Sequence, residues 1–194
     1  LMVVRRELEG IRRYVHLSTG NYNENTARIY SDVGYFTAHG EIASEISLFF
    51  NAITGYSSVP NLKYLVMAPI GLKRKIIDLV RREIERHRNT GQSLIMLKLN
   101  SLADSDVIET LYEASNAGVE IRMCVRGVCM LVPGVEGQSE NITVVSVVDR
   151  FLEHSRIVYF LNGGNEELYL TSADLMPRNL ERRVELMFPI LGEK

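Results

Sequence analysis

The feature that most constrains this chain is the alternation of apolar periods between residues 62 and 125. Residues 62–68 form a buried-type strand run, broken by Pro69 and Gly71. Residues 72–87 then place Ile76, Ile77, Leu79, Val80 and Ile84 on one apolar stripe at helical spacing. Residues 93–99 read as a strand. Asp104 or Ser105 caps a helix to about Ala117, which Gly118 ends. Residues 119–125 are strand again. Strand, helix, strand, helix, strand predicts an α/β core with parallel strands, whose ligand sites lie at the strand C-termini. Arg126-Gly127 falls at such an end, as an anion contact or as an ordinary surface arginine closing a strand.

Its 194 residues suffice for one large or two small domains. A formal net charge of −2 leaves no global basic field for nucleic acid, so any anion site must be a local cluster. No apolar run approaches the roughly 18 residues of a membrane span, and no signal peptide is present. The opening Leu-Met-Val-Val-Arg-Arg reads as the middle of a strand, as in a piece of a larger protein. Cys124 and Cys129 lack metal-ligand spacing and read as buried free thiols of a reducing cytoplasm.

Outside that core, residues 1–4 and 11–18 read as strands joined by a turn over 5–10. Thr19-Gly20-Asn21-Tyr22-Asn23 is a tight polar loop. Residues 33–36 read as a strand, 41–53 as a helix, and 54–61, with Gly55 and Pro60, as a linker. Residues 131–141 form a loop, 142–148 a strand, 175–180 a turn with Pro177, and 183–189 the last strand. The basic face of the helix at 72–87 reads as solvated, with polyanion binding the sharper alternative.

Chemistry concentrates in residues 148–174. Two strand runs, 157–161 and 167–171, are split by Asn162-Gly163-Gly164-Asn165, a hairpin turn. Alternation along a strand sends His154 and Arg156 one way, and likewise Ser172 and Asp174. Folding the hairpin gathers a histidine, a guanidinium, a hydroxyl and a carboxylate at one sheet end. That set suits phosphoryl chemistry: imidazole acts as nucleophile or general acid, guanidinium holds phosphate oxygens, and Asp174 is placed to orient the ring. The bland alternative is a surface histidine beside an ordinary turn. Thr19-Gly20-Asn21 and Ser172-Ala173-Asp174 echo each other, each a strand followed by hydroxyl, small residue, and Asn or Asp.

Several stretches together resemble polyphosphate kinase. They are Arg13-Tyr14-Val15-His16-Leu17-Ser18-Thr19-Gly20-Asn21, then Tyr30-Ser31-Asp32, Leu97-Lys98-Leu99-Asn100, Val125-Arg126-Gly127, Glu153-His154-Ser155-Arg156 and Thr171-Ser172-Ala173-Asp174. The resemblance spans nearly the whole chain in family order. It implies a phospholipase D-like α/β fold, with mixed sheets flanked by helices in two related units, the first truncated. Residues 1–60 would be the end of the first catalytic C-terminal domain and 61–194 the second. The implied activity is transfer of the ATP γ-phosphate to inorganic polyphosphate through a phosphohistidine outside this chain, reversibly, with Mg2+ carried on ATP.

The resemblance also implies roles. His154 would be the second motif's histidine, a general acid or phosphate contact. Tyr30 and Arg126 match nucleotide-phosphate contacts, and Arg183 a basic residue on the polyphosphate path. Thr19 and Asn21 match the partner of the absent histidine, with His16 a supporting or structural neighbour. Arg156 stands where the wider superfamily has lysine, and Asp174 where it often has asparagine. The full-length protein would be a cytoplasmic homo-oligomer, membrane association being left open. Alone the fragment would be inactive. A phospholipase D-like phosphodiesterase would need a lysine after His154, which this chain lacks. A non-catalytic polyanion-binding module is the remaining alternative.

Overall fold

The computed structural model describes residues 1–55, 58 and 61–192. Its first part comprises β1 (Met2–Glu7), β2 (Gly10–Ser18), β3 (Tyr30–Ser31), β4 (Gly34–Thr37) and α1 (Gly40–Ile53). The second comprises β5 (Val66–Ala68), α2 (Leu72–Thr90), β6 (Leu94–Leu99), α3 (Ser105–Asn116), β7 (Glu120–Val125) and β8 (Ile142–Val145). It continues with β9 (Leu152–Glu153), β10 (Ile157–Phe160), β11 (Glu167–Thr171), α4 (Pro177–Glu181) and β12 (Glu185–Pro189).

Of the apolar stripe of α2, Ile76, Leu79, Val80 and Ile84 are buried in the main core together with Leu72, while Ile77 is only partly buried against it. Its basic face is largely ion-paired: Arg82 with Glu167, Arg81 with Glu113, and Arg88 with Glu85. Lys73 lies within 3.0 Å of carboxylate oxygens of Asp104, Asp106 and Glu181. That pairing supports the solvated reading. Asp104 caps α3 by accepting from the Val107 N–H, as expected.

A seven-stranded mixed sheet runs β5-β12-β11-β10-β6-β7-β8. Only β6, β7 and β8 are adjacent parallel neighbours; every other pairing is antiparallel. The ladders give β5, β6, β7, β8 and β11 one direction, and β10 and β12 the other. The expected parallel core is therefore split: β5 shares the direction of β6 but lies at the far edge, with the hairpin and β12 between them. As a result, one sheet edge collects the C-termini of β6, β7 and β11 and the N-termini of β10 and β12. The site is built on that edge.

Alternation along β11 and β12 joins the two parts of the chain. Tyr169 and Met187 face the main core, while Leu170 and Phe188 face a second cluster with Val15, Leu17, Ile42 and Ile46. The first part, a three-stranded antiparallel sheet β1-β2-β4 with α1, thus covers the opposite face of the large sheet. A two-stranded parallel ladder, β3 with β9, makes a second tie between the parts.

Several boundaries differ from the sequence reading. The strand expected over 62–68 is confined to Val66–Ala68, because the N–H groups of Lys63, Tyr64 and Leu65 donate to the nearly buried Glu45 carboxylate of α1 at 2.7–3.2 Å. The turn expected over 5–10 shrinks to Leu8 and Glu9, since β1 and β2 pair out to Glu7↔Gly10. The strand expected over 142–148 ends at Val145. The turn with Pro177 contains α4, with proline at its first helical position. The linker expected at 54–61 falls largely outside the described residues. Cys124 and Cys129 are free, as expected, but half-buried rather than buried.

Candidate active site

The hairpin turn forms as read, with positive φ at Asn162, Gly163 and Gly164. It sets the register Ile157↔Leu170, and the Thr171 N–H donates to the Arg156 carbonyl at 3.2 Å. His154 and Arg156 therefore arrive beside the residues that follow β11. His154, Arg156 and Asp174 are each less than one-tenth exposed.

Arg156 organises the centre. Its Nη2 donates to Asp174 Oδ2 at 3.1 Å and lies 3.3 Å from His154 Nε2, while Nη1 donates to the Thr19 carbonyl at 2.8 Å. Its Nε sits 3.0 Å from Asp174 Oδ1 but is not aligned to donate. Asp174 Oδ1 accepts instead from the N–H groups of Asn100 and Ser101, at 2.9 and 3.1 Å. Asp174 thus fixes Arg156 and the end of β6. It does not orient the imidazole, contrary to the sequence expectation.

The orienting carboxylate is Asp32, from the first part of the chain. Its Oδ1 lies 2.9 Å from His154 Nδ1 and also accepts from the Thr19 hydroxyl at 2.9 Å. Arginine can only donate, so the neutral ring takes its proton on Nδ1, facing Asp32, and leaves Nε2 as acceptor. The same carboxylate stabilises the imidazolium when Nε2 is protonated. Gly20 permits this approach: a Cβ there would overlap the Asp32 carboxylate. Asp32 lies in one of the family-like stretches, but nothing in its local sequence marks it as a site residue. Its partner lies 122 residues away.

Tyr30 packs against the His154 ring, with centroids 4.6 Å apart and the planes inclined by 47°. The backbone of His154 is clamped as well. Its N–H donates to the Ser31 carbonyl at 3.1 Å, and Lys98 Nζ reaches Glu153 Oε2 and Ser155 Oγ at 2.6 and 2.5 Å. Lys98 is a further residue that the sequence reading did not select. It holds the Glu153 carboxyl below its usual range by a hydrogen bond and its charge.

These groups open onto a concavity of about 310 Å³ lined also by Asn21, Ser172, Arg126, Arg178, Arg183 and Glu185. Arg126 uses Nε to hold Asn100 Oδ1 and the Glu153 carbonyl, at 3.2 and 2.7 Å. Ser172 pairs with Glu185 at 2.5 Å. His16 is not brought here. Its Nδ1 lies 2.9 Å from the Tyr22 hydroxyl, its ring packs on Phe36, and it borders a different depression.

Four guanidiniums against two carboxylates make the concavity a receptor for anions. Among the described residues no group of three or more His, Cys, Asp and Glu side chains is arranged to hold a metal ion. Asp32 and Asp174 are engaged by protein donors, and Glu185 by Ser172 and Asn179. These residues do not fit a protein cage for magnesium.

Asp32→Asn would keep an acceptor for Nδ1–H but remove the charge that supports the imidazolium. Any proton transfer that His154 performs in turnover should then slow on the order of 10²-fold, a loss expected in kcat with little change in KM. Full kcat in that variant would show that the carboxylate serves packing alone.

A histidine of the second part, held by a carboxylate of the first on a mixed sheet flanked by helices, belongs to the α/β class expected from the sequence. Family comparison narrows the class. Residues 1–59 match polyphosphate kinase C-terminal domain 1, and residues 65–194 match polyphosphate kinase C-terminal domain 2. The chain belongs to the polyphosphate kinase family. It is 51% identical to polyphosphate kinase of Prosthecochloris aestuarii over 193 residues, covering 100% of this chain and 27% of that one. To polyphosphate kinase of Rhodopirellula baltica it is 53% identical over 190 residues, covering 98% and 22%. The crystal structure of polyphosphate kinase from Porphyromonas gingivalis aligns with 94% of this chain and 28% of its own, at 44% identity and a TM-score of 0.89. The chain thus spans about a quarter of the length of these relatives.

Proposed function

We propose that this chain supplies one histidine half-site of an ATP:polyphosphate phosphotransferase. In this reading residues 1–60 close the first catalytic C-terminal domain and residues 61–194 form the second. The nucleophilic histidine is contributed by residues outside this chain. Its nitrogen forms a bond to the γ-phosphorus of ATP while the bond to the β,γ-bridging oxygen breaks, releasing ADP. The terminal phosphate oxygen of the polymer then attacks the phosphohistidine and frees the nitrogen. Each step runs in reverse when ADP is the acceptor.

His154 supports both steps. Protonated at Nε2 it donates to the departing bridging oxygen of ADP; unprotonated it receives a proton from an incoming group. Arg126, Arg183 and Tyr30 border the space the phosphates would occupy. Magnesium would arrive on the nucleotide phosphates. The observation that carries the reading is the Asp32–His154–Arg156 arrangement opening into a guanidinium-lined concavity, in a chain of this family. We place the enzyme in the cytoplasm as a homo-oligomer at full length. No described helix is long and apolar enough to cross a membrane.

The test is incubation of the full-length enzyme with γ-labelled ATP and magnesium. The expected result is acid-labile, base-stable label on a histidine outside this chain, chased into polymer or onto added ADP. Label confined to His16 or His154 would overturn the assignment of the nucleophile. Absence of both phosphoenzyme and polymer would overturn the function.

A further inference from the structure

His154 does not lie in a strand. β9 ends at Glu153 and β10 begins at Ile157, so His154, Ser155 and Arg156 form a link between them. The two strands belong to different sheets. β9 pairs with β3 of the first part, whereas β10 pairs with β6 and β11 of the second. A regular ladder fixes the direction of every side chain along it. No ladder runs past His154 and Ser155, so the direction of the imidazole depends on individual contacts. Some come from the first part: the N–H groups of both residues donate to the Ser31 carbonyl, at 3.1 and 3.0 Å. From the second part come Asn100 Nδ2, 3.4 Å from the His154 carbonyl, and the side chain of Lys98.

Lys98 stands on β6, opposite Ile157 at the start of β10. Its ammonium donates to Glu153 Oε2 and Ser155 Oγ, at 2.6 and 2.5 Å. These are the residues immediately before and after His154. His154 and Arg156 border the concavity, while Glu153, Ser155 and Lys98 do not. Alternate residues of the link thus turn toward and away from the concavity, and one ammonium holds the two that turn away. Its charge is matched by Glu153, so it is placed to hold the chain and not a phosphate. Lysine suits that task, with three donors, no acceptor and a stem that reaches both partners from the neighbouring strand. The effect extends to a second side chain of the site, because the Glu153 carbonyl accepts from Arg126 Nε at 2.7 Å.

We propose that Lys98 is a positioning residue for the phosphotransfer: by gripping Glu153 and Ser155 from behind, it sets the direction in which the His154 imidazole enters the concavity. It touches neither substrate and acts only through His154 and its neighbours. Without the ammonium, the Ser31 contacts still anchor one side of the link, but nothing on the β6 side holds Glu153 and Ser155. Nε2 then loses its fixed distance to the reacting oxygen, on which proton transfer depends steeply. This inference rests on the proposed function, in which His154 is the acid.

The experiment is steady-state polyphosphate synthesis by the full-length enzyme, with Lys98→Met and Ser155→Ala each made alone and in a His154→Gln background. Lys98→Met should lower kcat by at least about tenfold and leave KM for ATP within about twofold of wild type. Ser155→Ala, which removes one of the two contacts, should lower kcat about threefold. In the His154→Gln background no acid remains to be positioned, so Lys98→Met should cost less than about twofold more. A general structural defect would cost the same in both backgrounds. Equal losses in the two backgrounds, a raised KM at full kcat, or no change in either constant would overturn the role. Methionine keeps the length of the stem, and the Glu153 side chain is 30% exposed, so water replaces the lost ammonium and the fold should persist. If Lys98→Met fails to fold, Ser155→Ala decides alone: full kcat, or an equal loss in the His154→Gln background, would overturn the role. A wild-type enzyme that makes no polymer from ATP, or a His154→Gln enzyme with near-normal turnover, would instead remove the functional reading beneath it.

Discussion

His154→Ala, in the enzyme at the full length of its relatives, should lower polyphosphate synthesis on the order of 10³-fold or more while the protein remains folded. The side chain is nearly buried, but its packing is modest: it meets Tyr30 on one face, Asp32 at Nδ1 and Arg156 near Nε2. Alanine removes the ring and leaves Asp32 with its Thr19 hydroxyl partner, so no carboxylate is stranded without a donor. The loss should appear in kcat, because proton transfer to the leaving oxygen belongs to the transition state. His154→Gln sharpens the test. An amide can hydrogen-bond a phosphate oxygen but cannot exchange a proton near neutral pH. If His154 only positions phosphate, His154→Gln should retain most activity; if it is the acid, His154→Gln should be as slow as His154→Ala. Near-normal turnover in both would remove His154 from the mechanism.

The elements of this fold were legible where one local signal decided them. The stripe of α2, the Asp104 cap of α3 and the Asn-Gly-Gly turn each depend on residues a few positions apart. The errors arose where a distant group intervened. Residues 63–65 have the apolar pattern of a strand, but a carboxylate from α1, some 18–20 positions earlier, takes their N–H groups. The parallel order of β5, β6 and β7 was inferred from their succession along the chain. Their direction agrees with it, but the hairpin and β12 occupy the gap, which no local pattern reveals. The site divides in the same way. Alternation placed His154 beside Arg156, and the hairpin brought Asp174 to them. Which carboxylate holds the imidazole was decided by the packing of the first part against the second. Asp174 was the nearer candidate in sequence, and Asp32 is the one in contact. Arg178 escaped notice because residues 175–180 read as a proline turn, and an arginine in a turn carries no geometric information until the helix around it is known.

Arg156→Met should destabilise the protein by about 3–5 kcal/mol, the scale for removing one partner of a buried ion pair. The reason is what remains. Asp174 is 6% exposed, and without the guanidinium its charge is offset only by the N–H groups of Asn100 and Ser101. Methionine matches the length of the arginine stem, so lost packing adds little. Asp174→Asn should cost less, since its amide oxygen can still accept from those N–H groups, although it leaves Arg156 unpaired. The double variant Arg156→Met/Asp174→Asn carries neither charge, and its destabilisation should fall short of the sum of the two single variants by at least about 1.5 kcal/mol. Urea titrations read all three as shifts in midpoint at constant slope; additive costs would show that the pair is not coupled. The double variant also separates stability from function. Buried ion pairs of this kind are often replaceable in stability, but Arg156 makes contacts that no apolar side chain can make. It donates to the Thr19 carbonyl of the first part and approaches His154 Nε2. A double variant that recovers its fold while remaining slow would assign the guanidinium to holding the loop that carries Thr19 against the imidazole. One that recovers both fold and turnover would reduce it to a charge balanced against Asp174.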